Sequence, residues 1–314
     1  MYSLDNLLDQ FSQGNVRALS RLISFVENDP YAKDYILSKI FKNVGSGYRI
    51  GITGPPGAGK STLVDSLASK IHDSGKRVSI IAVDPSSPFT GGALLGDRYR
   101  MYEAMKRGIF IRSLASRGSL GGLSESTIAV ADLLDAFGSD IILIETVGVG
   151  QSELDIMNAS DTVIVTLVPE SGDSIQAMKA GLMEIADIFV INKFDREGAK
   201  KFEMELRTVL SMSNNAKNGW KPPVIRTVAT RGEGIDDLIE AIFKHYEFLK
   251  EKGILAHKRR ERVKREITES IKEKLWGKYF LSSHWKDNIE KCVDKVISGE
   301  ETPYSVVEKI IKEI

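Results

Sequence analysis

Apolar positions change their period near residue 45. Before it, Leu4, Leu7, Leu8 and Phe11 fall at i, i+3, i+4, i+7, and Leu19, Leu22, Ile23 and Val26 do the same. That spacing predicts two amphipathic helices. Asp29-Pro30 breaks the pattern ahead of a short third helix ending near Phe41. From Tyr48 the texture becomes short Ile/Val-rich runs separated by longer amphipathic stretches: YRIGIT, VSIIAV, IFIRSL, DIILIE, DTVIVTLV, DIFVIN and PVIRTV. These runs are mostly continuous rather than alternating, as in strands covered on both faces. Strand–helix alternation predicts an α/β fold: a three-layer, doubly wound, mostly parallel sheet. After about residue 236 no further strand is expected, and helices are predicted at 236–252, 256–280, 284–298 and 303–314. The expected organisation is a helical arm over 1–44, an α/β domain over 45–250 and a helical region over 251–314. No internal repeat or low-complexity tract interrupts it.

Composition narrows the function classes. Lys+Arg and Asp+Glu both number 43, so no global field draws the chain to nucleic acid or to an anionic membrane. Any anion site must be local. The apolar runs are far too short to span a bilayer. Residues 1–15 carry acids early and lack an apolar core, unlike a secretory leader. The lone cysteine, Cys292, fits a reducing compartment, and the expected location is the cytoplasm. His72, His245, His257 and His284 are scattered, with no metal-ligand spacing.

The strongest local signal is GPPGAGKST at 54–62, which follows an apolar strand and opens an amphipathic helix. This is the phosphate-binding P-loop in its required context. Gly54, Gly57 and Gly59, with Pro55, Pro56 and Ala58 between them, let the backbone fold around a polyphosphate. Its N–H groups and the helix N-terminus then face the anion. Lys60 reaches the β- and γ-phosphates, the Ser61 hydroxyl ligates Mg²⁺, and Thr62 follows on the helix.

The run ADIFVIN ends in Asn192-Lys193-Phe194-Asp195. The Asp195 carboxylate suits the N1–H and N2–H₂ donors of guanine. Adenine would leave that carboxylate unpaired, so GTP is expected over ATP. The Lys193 stem is expected to cover the base face and Asn192 to brace neighbouring loops. A second base loop is expected at Val228-Ala229-Thr230, with the Ala229 N–H meeting guanine O6. DIILIE ends in Glu145-Thr146-Val147-Gly148. There Glu145 is placed to hold Mg²⁺ through water and the Gly148 N–H to sense the γ-phosphate. Val149 stands where common small GTPases have their water-positioning Gln, and Gln151 has no clear claim on that role. Asp84, at the end of VSIIAVD, is a further carboxylate candidate at the ligand-binding edge of the sheet. Asp97 reads equally as a helix cap or as a catalytic carboxylate.

Together the segments GPPGAGKST, DPSSPFTGGALLGDRYRM (84–101), RGSLGGLS (117–124), ETVGVGQSE (145–153) and GDSIQAMKAG (172–181) resemble the MeaB/ArgK group over about residues 5–250. These are the methylmalonyl-CoA mutase-associated GTPases, also labelled transport-system ATPases for lysine, arginine and ornithine. The resemblance implies a G domain with an N-terminal helical arm and a C-terminal helical dimerisation arm. It implies a GTPase that gates cofactor loading onto an adenosylcobalamin-dependent acyl-CoA mutase and protects that enzyme. Carried over by motif, it implies catalytic roles for Lys60, Asp97 and Glu145, and metal-facing roles for Ser61, Asp84, Asp97 and Glu145. Gln176 and Lys179 would lie on a third switch that contacts the partner. Phe194 and Val228 depart from the base motifs common among GTPases, which have a small residue and Ser there.

The C-terminal helix is strongly basic, from Lys258 to Lys278, which raises nucleic acid as a ligand. However, Val263, Ile267, Ile271 and Leu275 form an apolar stripe, and the chain is neutral overall. Packing on a second subunit is the favoured reading, with no nucleic acid and no membrane partner. Trp276 and Trp285 are expected in a core. With no evident water-positioning Gln or arginine finger, slow intrinsic GTP turnover is expected. A nickel-type metal-insertion GTPase and a P-loop kinase are the competing classes. The first lacks a His/Cys cluster, and Asp195 opposes the second.

Overall fold

The computed structural model describes residues 3–84, 101–115, 125–146, 152–169, 181–212, 218–280 and 283–313. The chain divides into two compact units, residues 1–255 and 256–314.

The first unit is built on seven strands, β1 (Tyr48–Thr53), β2 (Val78–Asp84), β3 (Phe110–Ala115), β4 (Ile141–Glu145), β5 (Thr162–Leu167), β6 (Ile188–Ile191) and β7 (Val224–Arg226). They form one sheet in the order β3-β2-β4-β1-β5-β6-β7. Every ladder between them is parallel. The apolar runs of the sequence thus become a doubly wound sheet, although the last run, PVIRTV, keeps only Val224–Arg226 in strand form.

Helices α1 (Leu4–Ser12), α2 (Val16–Asn28), α3 (Pro30–Ile40), α4 (Lys60–Asp73), α5 (Tyr102–Lys106), α6 (Glu125–Ala136) and α7 (Ser152–Ala159) precede β5 or flank the earlier strands. They are followed by α8 (Leu182–Ile185), α9 (Ala199–Met212) and α10 (Ile235–Glu251). Side chains alternate across a strand, so each central strand feeds two cores. Ile81 and Val83 of β2 enter one cluster with α1–α3, α6 and α9, while Ile80 and Ala82 enter the other with α4, α5 and α10. This explains the continuous apolar runs, since β1, β4, β5 and β6 are buried along their whole length.

The N-terminal helices are held by local chemistry before they pack. The Asn15 side chain accepts from the N–H groups of Arg17 and Ala18, and Asp29 accepts from Tyr31 and Ala32. With Pro30 in the first turn, Asp29-Pro30 therefore starts α3 as well as ending α2. Leu19, Leu22 and Ile23 are fully buried. Arg112 on the edge strand β3 is tied to Ser24 and Glu27 of α2, so α2 is anchored on the face of that strand that also carries Leu114.

The second unit takes in most of α11 (Ile254–Phe280), together with α12 (Ser283–Ile297) and α13 (Pro303–Glu313). On α11 the stripe Val263, Ile267, Ile271 and Leu275 is 38–56% exposed. The side chains of Trp276 and Trp285 lie outside the described set. No helix among the described residues is long and apolar enough to cross a membrane.

Candidate functional site

β1 occupies the middle of the sheet, between β4 and β5. Its carboxyl end is where a doubly wound sheet opens a crevice. Residues 54–59 turn there into α4. Gly54 has φ +140°, and a Cβ on it would lie 2.0 Å from the Thr166 carbonyl oxygen of β5. Gly59 has φ +83°, and its Cβ would meet Asn192 Nδ2 at 2.5 Å. These two glycines are required both by conformation and by close approach. Lys60 is buried, and its Nζ donates to the carbonyls of Gly54 and Pro55 at 2.8 and 3.1 Å. The ammonium is thereby held over the mouth of the loop, beside the positive end of α4. Pro56 and Gly57 are exposed at the rim, Ala58 is buried, and Thr62 is half-buried on the first turn of α4.

The adjacent strand end supplies a carboxylate. Glu145 closes β4 and is 7% exposed, and Ser61 Oγ donates to its Oε1 at 2.7 Å. A hydroxyl and a carboxylate side by side are hard-oxygen donors of the kind Mg²⁺ takes together with phosphates and water. Thr146 continues the anchoring, its N–H to Ile52 O at 3.0 Å and its hydroxyl to Thr53 Oγ1 at 2.9 Å. Ala82 lies opposite Glu145 in the β2–β4 ladder. Asp84 therefore comes two residues further along β2, at the same edge of the sheet. Asp97, Gly148, Gln151, Gln176 and Lys179 lie outside the described residues, as does the side chain of Asp84.

The two loops expected to hold the base follow β6 and β7. Asn192 is 2% exposed and stitches three segments. Its Nδ2 donates to Ala58 O at 2.9 Å in the phosphate loop. Its Oδ1 accepts from Thr227 Oγ1 at 3.0 Å and from the Ala229 N–H at 3.1 Å. The Ala229 N–H, expected to meet guanine O6, is engaged by Asn192 in this structure. Ser66 of α4 donates to Ala229 O at 2.9 Å. Lys193 has a left-handed backbone, φ +56°, and its Nζ donates to Gly57 O at 2.8 Å. Its stem spans from the base loop to the phosphate loop. Asp195 is exposed and pairs with Arg231 at 3.3 Å.

A sequence model of the family described as "Methylmalonyl Co-A mutase-associated GTPase MeaB" matches residues 19–283. The chain belongs to this family. A protein of Pyrococcus abyssi, named as a candidate GTPase, is 48% identical over 314 residues, covering 99% of this chain and 97% of that one. A mouse protein named "Methylmalonic aciduria type A homolog, mitochondrial" is 35% identical, covering 84% of this chain and 65% of the mouse protein. The crystal structure of an LAO/AO transport system kinase matches with TM-score 0.74 and 25% identity, over 98% of this chain and 96% of that one.

In this MeaB-family GTPase, therefore, a guanine nucleotide is the ligand and GTP hydrolysis the reaction. The departures from common base motifs have visible reasons. Phe194 packs partly buried against the first core, and the Arg226 guanidinium lies 5.0 Å from its ring centroid. Arg226 Nε donates to Glu203 Oε2 at 2.9 Å, and Arg207 holds Oε1 of the same carboxylate at 3.0 Å. Burial would raise the Glu203 pKa, but hydrogen bonds from Arg226 and then Arg207 outweigh it and hold the group below its ordinary value. Val228 is buried, and its N–H donates to Glu233 O at 3.1 Å, closing a small turn. Sequence reasoning missed Arg226, Glu203, Thr227, Ser66 and Arg231. Only Arg226 carried a signal, as the charged residue within an otherwise uncharged run.

Proposed function

We propose that this GTPase binds GTP with Mg²⁺ between residues 54–62, Glu145 and Asn192–Asp195, and uses its hydrolysis to chaperone an adenosylcobalamin-dependent acyl-CoA mutase of the methylmalonyl-CoA type. The observation that carries the nucleotide half is the 2.7 Å Ser61–Glu145 contact beside buried Lys60. Mg²⁺ bound there would neutralise charge on the β- and γ-phosphates. Lys60 and the loop N–H groups grip the phosphates and stabilise charge that develops on them. Asp195 reads the guanine edge, the Lys193 stem covers its face, and Asn192 locks the two loops together. Asp84 and Asp97 are assigned to the metal and γ-phosphate side, and the Gly148 N–H to sensing the γ-phosphate. Val149 stands at the usual position of a water-positioning Gln, so intrinsic turnover is slow and the partner accelerates it.

The mutase half rests on the family description and on the name of the mouse relative. The exposed stripe on α11 supports a homodimer as the working form. The single cysteine supports a reducing, cytoplasmic setting. The test is co-purification of the chain with candidate adenosylcobalamin-dependent mutases, in GDP and in a non-hydrolysable GTP analogue, with hydrolysis measured alongside. The expected result is nucleotide-dependent association and faster hydrolysis. No association in either state and no acceleration would remove the chaperone reading and leave the GTPase intact.

A further inference from the structure

Asp195, to which the proposal above gives the reading of guanine, has a charged partner on the loop after β7. Arg231 Nη2 lies 3.3 Å from Asp195 Oδ2, with side chains 60% and 37% exposed. As a stabilising contact an ion pair this exposed counts for little. Its position gives it a different use.

Arg231 ends the 3₁₀ turn Ala229–Arg231, the turn that also carries the Ala229 N–H. That turn is held by several contacts. Arg231 N–H donates to Val228 O at 2.9 Å, and Val228 N–H donates to Glu233 O at 3.1 Å. Gly232 closes it at φ +70°. Gly234 follows at φ +73°, where a Cβ would lie 1.9 Å from Arg226 O. Ser66 of α4 holds the Ala229 carbonyl at 2.9 Å. The backbone that launches Arg231 is thus fixed to both the sheet and the phosphate-loop helix. Glu233, on the same turn, lies 3.8 Å from Arg231 Nη1 and leaves Nη2 directed to Asp195.

We infer that Arg231 is a positioning residue for base recognition, holding the Asp195 carboxylate in the orientation that accepts the guanine edge. A carboxylate offers about four lone-pair sites. Arg231 meets Oδ2 as an ion pair at 3.3 Å, which leaves acceptors for N1–H and for the exocyclic amine. A fixed carboxylate discriminates by that amine. One that swings on an exposed loop accepts N1–H nearly as well without it. The inference rests on Asp195 reading guanine, and the experiment separates the two.

The affinities of GDP and of IDP, whose hypoxanthine lacks the 2-amino group, are measured by calorimetry with Mg²⁺ for the wild type, Asp195→Ala, Arg231→Ala and Arg231→Lys. The Arg231→Ala substitution is expected to lower the GDP/IDP affinity ratio about two- to fivefold, the scale of an exposed ion pair. Arg231→Lys should retain most of the ratio, and the unfolding midpoint should not move. If Asp195→Ala collapses the ratio and Arg231→Ala leaves it intact, the positioning role is wrong while guanine reading stands. If Asp195→Ala itself leaves the ratio intact, guanine reading by Asp195 fails and the role of Arg231 goes with it.

Discussion

Ser61 Oγ donates to Glu145 Oε1 at 2.7 Å, although the two residues stand 84 positions apart in the chain. Ser61 lies in the first turn of α4, which the phosphate loop joins to β1, and Glu145 ends β4, which pairs with β1 such that Ile52 faces Glu145. Parallel pairing is what brings the hydroxyl and the carboxylate to one edge. Replacing Ser61 by Ala removes one side of this donor set. GTP turnover is expected to fall about a hundredfold, the scale for loss of one charge-stabilising group. The Mg²⁺ dependence of nucleotide affinity should flatten. Turnover and calorimetry with and without Mg²⁺ check both, and unchanged Mg²⁺ dependence would remove Ser61 from the metal site.

Two glycines of the phosphate loop should respond very differently to alanine. At Gly54 the new Cβ would lie 2.0 Å from the Thr166 carbonyl oxygen, at φ +140°. Gly54→Ala is expected to cost about 3 kcal/mol and to abolish nucleotide binding. Gly57 also has positive φ, +76°, but nothing lies within 4 Å of its Cβ position. Gly57→Ala should cost only the left-handed penalty of about 1 kcal/mol. Urea unfolding of the two variants compares them directly.

Glu203 joins α9 to β7 through Arg207 and Arg226, and its pKa lies below the ordinary value of 4.5. A carboxylate with a depressed folded pKa stabilises the protein above its unfolded pKa, and that contribution is lost as pH falls through the folded value. Glu203→Gln is expected to destabilise the protein by about 2 kcal/mol near neutral pH. The gap between wild type and variant should stay flat down to about pH 4.5 and narrow below it. Denaturant titrations across that range test the sign. A gap that widened in acid would contradict it.

The stripe on α11 makes a prediction about assembly. Ile267 is 56% exposed and Ile271 53%, with Val263 and Leu275 on the same face. Glutamate at Ile267 and Ile271 together should convert a dimer to a monomer in sedimentation velocity, since central apolar positions dominate such contacts. Intrinsic single-turnover hydrolysis should stay within about twofold. A wild-type chain that sediments as a monomer at all concentrations would exclude the homodimer.

Much of the fold was legible because burial on both faces forces long Ile/Val runs, and because a P-loop needs a strand before it and a helix after it. The glycines at 54, 57 and 59, Lys60 and Ser61 were readable for the same reason: their chemistry is local and contiguous. Asn192 was readable as a brace, though not what it braces. Its partners, at Ala58, Thr227 and Ala229, come from three separate segments.

The order of residues along the chain was enough to establish the parallel α/β class and the phosphate loop, and to nominate Asp195 as the carboxylate for guanine, since periods, turn residues and short motifs encode those over a few positions. Strand order, the Ser61–Glu145 pair, the Ala229–Asn192 hydrogen bond and the Arg231–Asp195 contact were decided only in three dimensions. Each depends on which strand lies beside which and in what register, and that is set by the packing of two cores against a common sheet rather than by any one segment.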